Sequence, residues 1–268
     1  MLLKKCIKID TYHCFTDINV FFKYRFFLRT IGKKILENSE KVICISQPYE
    51  KKLFSYIKDE TFKAYIQNKT ITLPNGIDDF WLDNICKNKK KESGKVITFI
   101  CVANIEKNKN QLIACKAIQK FEGDGYAVKF ILLGAILDKR YFECVSEYHF
   151  VEYKGNLEKT LLIDELRKSD IFIMPSHHET FGLVYAEALS QGLPVIYTKD
   201  EGFYGQFGEG EVGYGVSPDC VDEIYLSINK TLTNYERISK NCISQCEKYR
   251  WNEIEKQYGK IYEEIRRH

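Results

Sequence analysis

The sequence predicts an α/β protein with parallel sheet, organised as two blocks, and three observations predict it. Short apolar runs alternate with segments of helical period, the pattern of βα units whose strands are covered on both faces. A polar, lysine-rich run, NICKNKKKESGK at Asn84–Lys95, separates two strand-bearing blocks and reads as an interdomain linker. Between Ile171 and Ile196 the chain reads strand, loop, helix, glycine stop, proline, strand. Gly192 there suits a helix C-terminus and Pro194 the start of a strand.

Composition fits that class. The 268 residues leave room for about two domains, and 44% hydrophobic with 29% charged residues excludes disordered, collagen-like and coiled-coil chains. The longest apolar run, Phe99–Ala103, is far short of the roughly 20 residues that span a bilayer, so no transmembrane helix is expected. The start, MLLKKCIKID, never builds the apolar stretch of about 7–15 residues that a signal peptide needs, so a cytoplasmic location is expected. Ten cysteines occur, none spaced CxxC, which disfavours zinc ribbons and fits reduced thiols packed as small hydrophobes. The net charge of +3 divides unevenly, +8 over Met1–Lys95 and −5 over the rest. The basic front is a candidate surface for an anionic membrane. Nucleic acid is not expected, because no RNP or helix-turn-helix pattern accompanies the aromatics Phe21, Phe22, Tyr24, Phe26 and Phe27.

The expected strands, in order, are Val42–Ser46, Ile71–Leu73, Val96–Val102, Val128–Gly134, Ile171–Pro175 and Pro194–Thr198. Helical stretches fall near Gln111–Phe121, Lys159–Lys168 and Gly182–Gln191. Trp251, Ile254, Tyr258, Ile261, Tyr262 and Ile265 recur at helical spacing and predict an amphipathic terminal helix. The expected organisation is residues 1–83 as the front block, 84–95 as linker, 96–231 as a ligand-binding domain and 232–268 as helices returning to the front block.

Chemistry concentrates in the third feature. The helix after Ile171–Pro175 starts near Thr180–Gly182, at the end of a buried parallel strand, where α/β folds bind ligands. The N–H groups of Phe181, Gly182 and Leu183 at that start form a cradle for a diphosphate, and Gly182 lets an anion approach the backbone. Two carboxylates eight residues apart, Glu179 and Glu187, flank the cradle. A carboxylate accepts from two hydroxyls, which suits sugar rings. On spacing alone, Glu179 complementing the helix dipole and Glu187 facing solvent is as good a reading. Other chemistries lack their motifs: no GxGxxG lies between an opening strand and its helix, and no GxxxxGKS, GxSxG or HExxH occurs. His177 and His178 are adjacent and point different ways, which does not make a metal site.

Within its PS…E…FG…EA…GLPVI context, the Glu179–Glu187 pair resembles the ExxxxxxxE signature of the retaining glycosyltransferases of family four. The resemblance implies the two-domain glycosyltransferase B fold, with Glu179 on the donor sugar, Glu187 on the ribose and the intervening backbone on the diphosphate. VANIEKNKNQLI, Val102–Ile113, resembles the segment carrying a basic pair for the donor phosphates, with Lys109 at the lysine position and Asn104 where many members have arginine. LPNGIDDFW, Leu73–Trp81, resembles the turn before the linker, and ILLG, ending at Gly134, a strand end near the donor. Glu201–Val216 sits where loops shape the donor pocket. TYHCFTDI, Thr11–Ile18, resembles the segment that faces a histidine toward the donor sugar, here His13. The implied function is transfer of a hexose-type sugar, with retention and without a metal, from a UDP- or GDP-linked donor to a glycan or lipid-linked acceptor, in surface polysaccharide synthesis. His13 and Glu179 are the implied catalytic residues; Asn104, Lys109, Gly134, Glu179, Thr180, Phe181, Gly182, Leu183 and Glu187 are the implied donor contacts. The Gly-rich opening loop usual in the family is missing, so the front domain is expected to be incomplete. The alternative expectation is therefore a nucleotide-sugar-binding module that does not transfer.

Overall fold

The computed structural model describes residues 9–12, 26–87, 89, 91 and 96–267. The chain forms two compact units, one made of residues up to Gly76 together with those from Tyr249, the other of Ile77–Lys248.

The first unit is built on a parallel sheet in the order β1-β2-β3, formed by β1 (Ile9–Tyr12), β2 (Lys41–Cys44) and β3 (Thr70–Thr72). Ile43 pairs with Ile71 across it. Helix α1 (Phe26–Asn38) joins β1 to β2, and α2 (Gln47–Tyr56) and α3 (Glu60–Gln67) join β2 to β3. Local chemistry starts these helices. Proline stands in the first turn of α2, where its missing N–H costs nothing, and Asp59 caps α3 by accepting from the Phe62 N–H at 3.0 Å.

The second unit opens with the short helix α4 (Asp79–Asp83), capped by Asp78, which accepts from the Phe80 N–H at 2.9 Å. Six parallel strands follow: β4 (Ile97–Val102), β5 (Val128–Leu133), β6 (Val151–Tyr153), β7 (Ile171–Ile173), β8 (Val195–Thr198) and β9 (Gly213–Val216), ordered β6-β5-β4-β7-β8-β9. Their connections contain α5 (Gln111–Glu122), α6 (Lys139–Ser146), α7 (Lys159–Lys168) and α8 (Leu183–Ser190); α9 (Val221–Thr233) and α10 (Tyr235–Gln245) follow β9. The central strands are near-continuously apolar because helices cover both faces. Phe99, Phe130 and Phe172 are fully buried among them. The chain leaves β4 for β5 and β6, then returns to the other side of β4 as β7. The order therefore reverses between β4 and β7, and the loops at their carboxyl ends meet at a topological switch point.

The last helix, α11 (Trp251–Arg267), belongs to the first unit, where Ile254 and Ile261 complete a core with Ile43 and Leu73. Trp251 lies against Gly76 so closely that a Cβ there would stand 2.6 Å from the indole ring.

Two features differ from the sequence reading. The units divide at Gly76 and Ile77 rather than within 84–95, because the start of that polar run is hydrogen-bonded into the second unit. Cys86 N–H donates to the Ser190 carbonyl at 3.0 Å, Arg167 to the Asn84 carbonyl at 2.7 Å, and the Lys89 ammonium to the Arg167 and Ser169 carbonyls. Residues 232–248 likewise stay with the second unit, as where Ser239 donates to the Gly192 carbonyl at 2.7 Å. The second sheet also gains β6 and β9. The first is a three-residue edge strand whose Glu152 pairs with Lys129 on β5. The second is glycine-rich, a composition that suggests loop; Gly213 has φ 153°, and a Cβ there would stand 1.8 Å from the Val195 carbonyl oxygen. Among the described residues, no helix is long and apolar enough to cross a membrane.

Candidate functional site

The loops after β4 and β7 face each other at the switch point, and three consecutive residues of the first hold the second. Asn108 accepts the His177 N–H on its carbonyl at 2.8 Å and the His178 N–H on its side chain at 3.0 Å, and donates to the His178 carbonyl at 3.1 Å. Asn110 is in the left-handed region, φ 57° and ψ 37°, which asparagine tolerates better than most residues. That bend turns its amide inward to the Pro175 carbonyl at 3.1 Å and the Pro218 carbonyl at 2.7 Å. Between them, Lys109 places its ammonium 2.8 Å from Glu179 Oε2, with side chains only 19% and 13% exposed. The sequence reading assigned this lysine to phosphates and this acid to a sugar. In the structure the two meet directly.

Glu179 is held further on its own side. Its Oε1 accepts from the Thr180 N–H at 3.1 Å, its N–H donates to Glu201 Oε2 at 2.8 Å, and its carbonyl accepts from Gly202 N–H at 2.9 Å. Phe181 is buried, Thr180 exposed, and Gly182 is the N-cap of α8 with φ 76°. Any side chain at Gly182 is excluded twice: by that dihedral, and because a Cβ would stand 2.3 Å from the Tyr185 ring. Tyr185 is itself fixed, its hydroxyl donating to the Met174 carbonyl at 2.5 Å. The first turn of α8 begins at Leu183, directly after the loop that follows β7, and carries the positive end of the helix; within it the Tyr185 N–H donates to the Gly182 carbonyl at 2.9 Å.

Glu187, in the second turn of α8, is neither at the surface nor fully enclosed. Burial pushes its carboxyl up to about 7, against the pull of the Lys159 ammonium and the Trp81 indole N–H, while Asp78 adds to the rise. The Trp81 indole nitrogen is buried without a partner at ordinary hydrogen-bond distance, yet stands near enough to Glu187 to favour its charged form. Asp78 and Lys159 pair at the surface nearby.

Asn104 is exposed and its carbonyl accepts from Gln111 at 2.9 Å. Gly134 has φ 139°, and a Cβ there would stand 2.0 Å from the Ala103 carbonyl oxygen, so β4 and β5 run on side by side toward the site only with glycine here. Beneath the ion pair, burial pushes the Cys101 thiol up to about 12, and it packs as a neutral group. His13 lies outside the described residues.

The structure therefore brings Lys109, Glu179, Gly182 and the start of α8 together, with Glu187 farther along the same helix. Sequence reasoning passed over Asn108, Asn110, Trp81 and Glu201. The first two carried a readable signal, an Asn-Lys-Asn run between a strand and the following helix, because asparagine is the residue that both bends a loop and hydrogen-bonds across it.

A parallel α/β sheet whose order reverses between β4 and β7, with a lysine and an acid paired where the two loops meet, defines the class of α/β folds that bind ligands at a topological switch point. The chain belongs to the family of glycosyl transferases group 1, whose sequence profile matches residues 84–248, more than half of its length. It is 26% identical over 254 residues to a probable sucrose-phosphate synthase of Thermosipho melanesiensis, covering 90% of this chain and 58% of that protein. It is 25% identical over 263 residues to the capsular polysaccharide biosynthesis glycosyltransferase CapM of Staphylococcus aureus, covering 91% of this chain and 67% of that one. Among solved structures, a glycosyltransferase from Rickettsia africae superposes with a TM-score of 0.75 at 18% identity, over 96% of this chain and 70% of its own. Anabaena Alr3699/HepE, in complex with UDP, does so with a TM-score of 0.74 at 16% identity, over 96% and 72%. The fold is thus the α/β fold with parallel sheets of the glycosyltransferase B structures, and the chain spans a little over half the length of the synthase it resembles.

Proposed function

We propose that this chain carries the donor site of a retaining glycosyltransferase, which moves a hexose-type sugar from a UDP- or GDP-linked donor to a glycan or lipid-linked acceptor. The observation that carries the reading is the Lys109–Glu179 pair set beside the first turn of α8, with Glu187 one turn further along. In this reading the diphosphate lies on the amides at Phe181–Leu183 and takes the Lys109 ammonium. Glu179, released from the lysine, accepts sugar hydroxyls, and Glu187 accepts the ribose hydroxyls. Asn104 and the glycine bend at Gly134 border the phosphates.

Sugar transfer breaks the bond between the anomeric carbon and the diphosphate oxygen, so charge builds on the leaving group. Fixed N–H groups and one ammonium stabilise that charge without reorganising, and no nucleophilic carboxylate is required at the reacting carbon. Surface polysaccharide synthesis in the cytoplasm fits the likeness to CapM, and the basic residues Lys23, Arg25, Arg29, Lys33 and Lys34 suit a peripheral position on an anionic inner leaflet.

Titration of the 268-residue chain with UDP, GDP and a panel of their sugars tests the reading. At least one nucleotide sugar should bind, and Glu187→Ala should weaken it by about tenfold or more, the loss expected for hydrogen bonds to a charged acceptor. With an acceptor supplied, the product's anomeric configuration should match the donor's. Donor binding without turnover would assign the chain the narrower role of a nucleotide-sugar-binding module, and absence of nucleotide affinity would remove the donor reading altogether.

A further inference from the structure

We propose that Glu201 is a positioning residue for the sugar end of this site: with Gly202 it grips the Glu179 peptide and so sets where the Glu179 carboxylate stands against Lys109. The proposal rests on the donor reading of Glu179. Residues 174–182 join β7 to α8 and include no regular element, so their backbone groups need partners from elsewhere in the fold. For Glu179 both partners come from one dipeptide after β8. Glu201 Oε2 accepts the Glu179 N–H at 2.8 Å and the Gly202 N–H donates to the Glu179 carbonyl at 2.9 Å.

The approach is close enough to demand its residue types. A Cβ at position 202 would stand 2.0 Å from the Thr180 carbonyl oxygen, so only glycine lets the two segments lie together. The Glu201 side chain is 16% exposed, and its other oxygen stands 3.5 Å from His178 Nδ1. Elsewhere along the loop, Asn108 brackets His178, and the β8 residue Thr198 donates to the Ser176 carbonyl at 2.6 Å. Glu179 is therefore clamped at its backbone by Glu201 and Gly202 and at its carboxylate by Lys109. A carboxylate held at both ends has little freedom, which is what a group that must meet particular sugar hydroxyls requires.

This role separates the sugar from the nucleotide. The diphosphate and ribose are assigned to α8, Lys109 and Glu187, whereas the backbone groups that Glu201 and Gly202 grip belong to Glu179, the residue assigned to the sugar. Losing Glu201 should leave nucleoside diphosphate binding intact and erode the extra affinity that the sugar adds.

The test uses the whole chain, with UDP and GDP and whichever of their sugars binds best, on wild type, Glu201→Ala and Glu201→Gln. Glutamine keeps an oxygen that can accept the Glu179 N–H. In Glu201→Ala, diphosphate affinity should stay within about twofold, while nucleotide-sugar affinity falls by about tenfold, the scale of one charge-assisted hydrogen bond. Exchange of the Glu179 amide hydrogen should accelerate, and Glu201→Gln should restore both readouts. Should the alanine variant fail to fold, Glu201→Asp, too short to reach, serves the same comparison. Parallel loss of diphosphate and sugar affinity, or an unchanged sugar increment and unchanged Glu179 exchange, overturns the proposal. Failure of the donor reading looks different: the wild-type chain then takes no nucleotide at all, and Glu179 exchange in the variants still reports whether Glu201 holds that peptide.

Discussion

Glu187 shows how a single side chain couples stability to pH. Its carboxyl is raised by burial from the ordinary 4.5 to about 7, so across that interval the folded chain holds a proton that the unfolded chain has released. The contribution is fully present below about pH 4.5 and is lost as pH rises through about 7. Glu187→Gln, which cannot ionise, should therefore gain stability relative to wild type as pH rises through this window, by up to about 3 kcal/mol. Urea titrations of both proteins at pH 5 and pH 8 check it; a difference independent of pH would show that Glu187 is better solvated than its surroundings suggest. The same carboxyl bears on ligand binding. If ribose hydroxyls donate to it, the charged form binds better, and nucleotide affinity should rise between pH 6 and pH 8 in wild type but not in Glu187→Gln.

At the scale of elements, the site depends on how α8 begins. Its N-cap is a glycine in the left-handed region packed on Tyr185, not a side-chain acceptor, so the helix end is shaped by backbone geometry. Gly182→Ala should cost about 1–3 kcal/mol from the dihedral, with the Tyr185 clash added, and should weaken nucleotide binding as the first turn shifts. Denaturant midpoints and UDP titration measure the two effects, and an alanine variant with unchanged stability would contradict the role given to this turn. The loop after β4 is the second determinant. Asn108 and Asn110 tie it to the loop after β7, so Lys109 reaches Glu179 from a braced backbone. Pairing two charges this little exposed is favourable only with good geometry and further hydrogen bonds, and the Thr180 N–H supplies one of those.

The whole chain contains two compact units with separate cores. Ile254, 1% exposed, and Ile261 complete the first unit's core with Ile43 and Leu73, although about 180 residues of chain separate them from Leu73. Ile254→Ala should cost about 2–5 kcal/mol, a buried large-to-small change. Calorimetry should show this loss in the transition of the first unit, while nucleotide titration, which reads the second, stays unchanged. One transition moving as a whole would mean that the two units unfold together.

Much of this protein was legible in the sequence because its signals are local. The apolar runs at β4, β5, β7 and β8, the helical spacing from Trp251 to Ile265, and the strand, loop, helix order around Glu179 each follow from neighbouring residues. Periodicity and turn chemistry act over a few positions. The resemblance to the family rested on the same stretch, and the matched profile includes it. What only the tertiary structure decided is non-local. Gly213 admits β9 because the strand must press against Val195, Gly202 is required by the Thr180 carbonyl, and Glu201 accepts the N–H of a residue 22 positions earlier. The polar run from Asn84 reads as a linker by composition, yet hydrogen bonds from Cys86, Lys89 and Arg167 bind its start to the second unit. A sequence states which groups can pair; only the folded chain brings residues 20 or 80 positions apart to hydrogen-bonding distance and fixes which of them do.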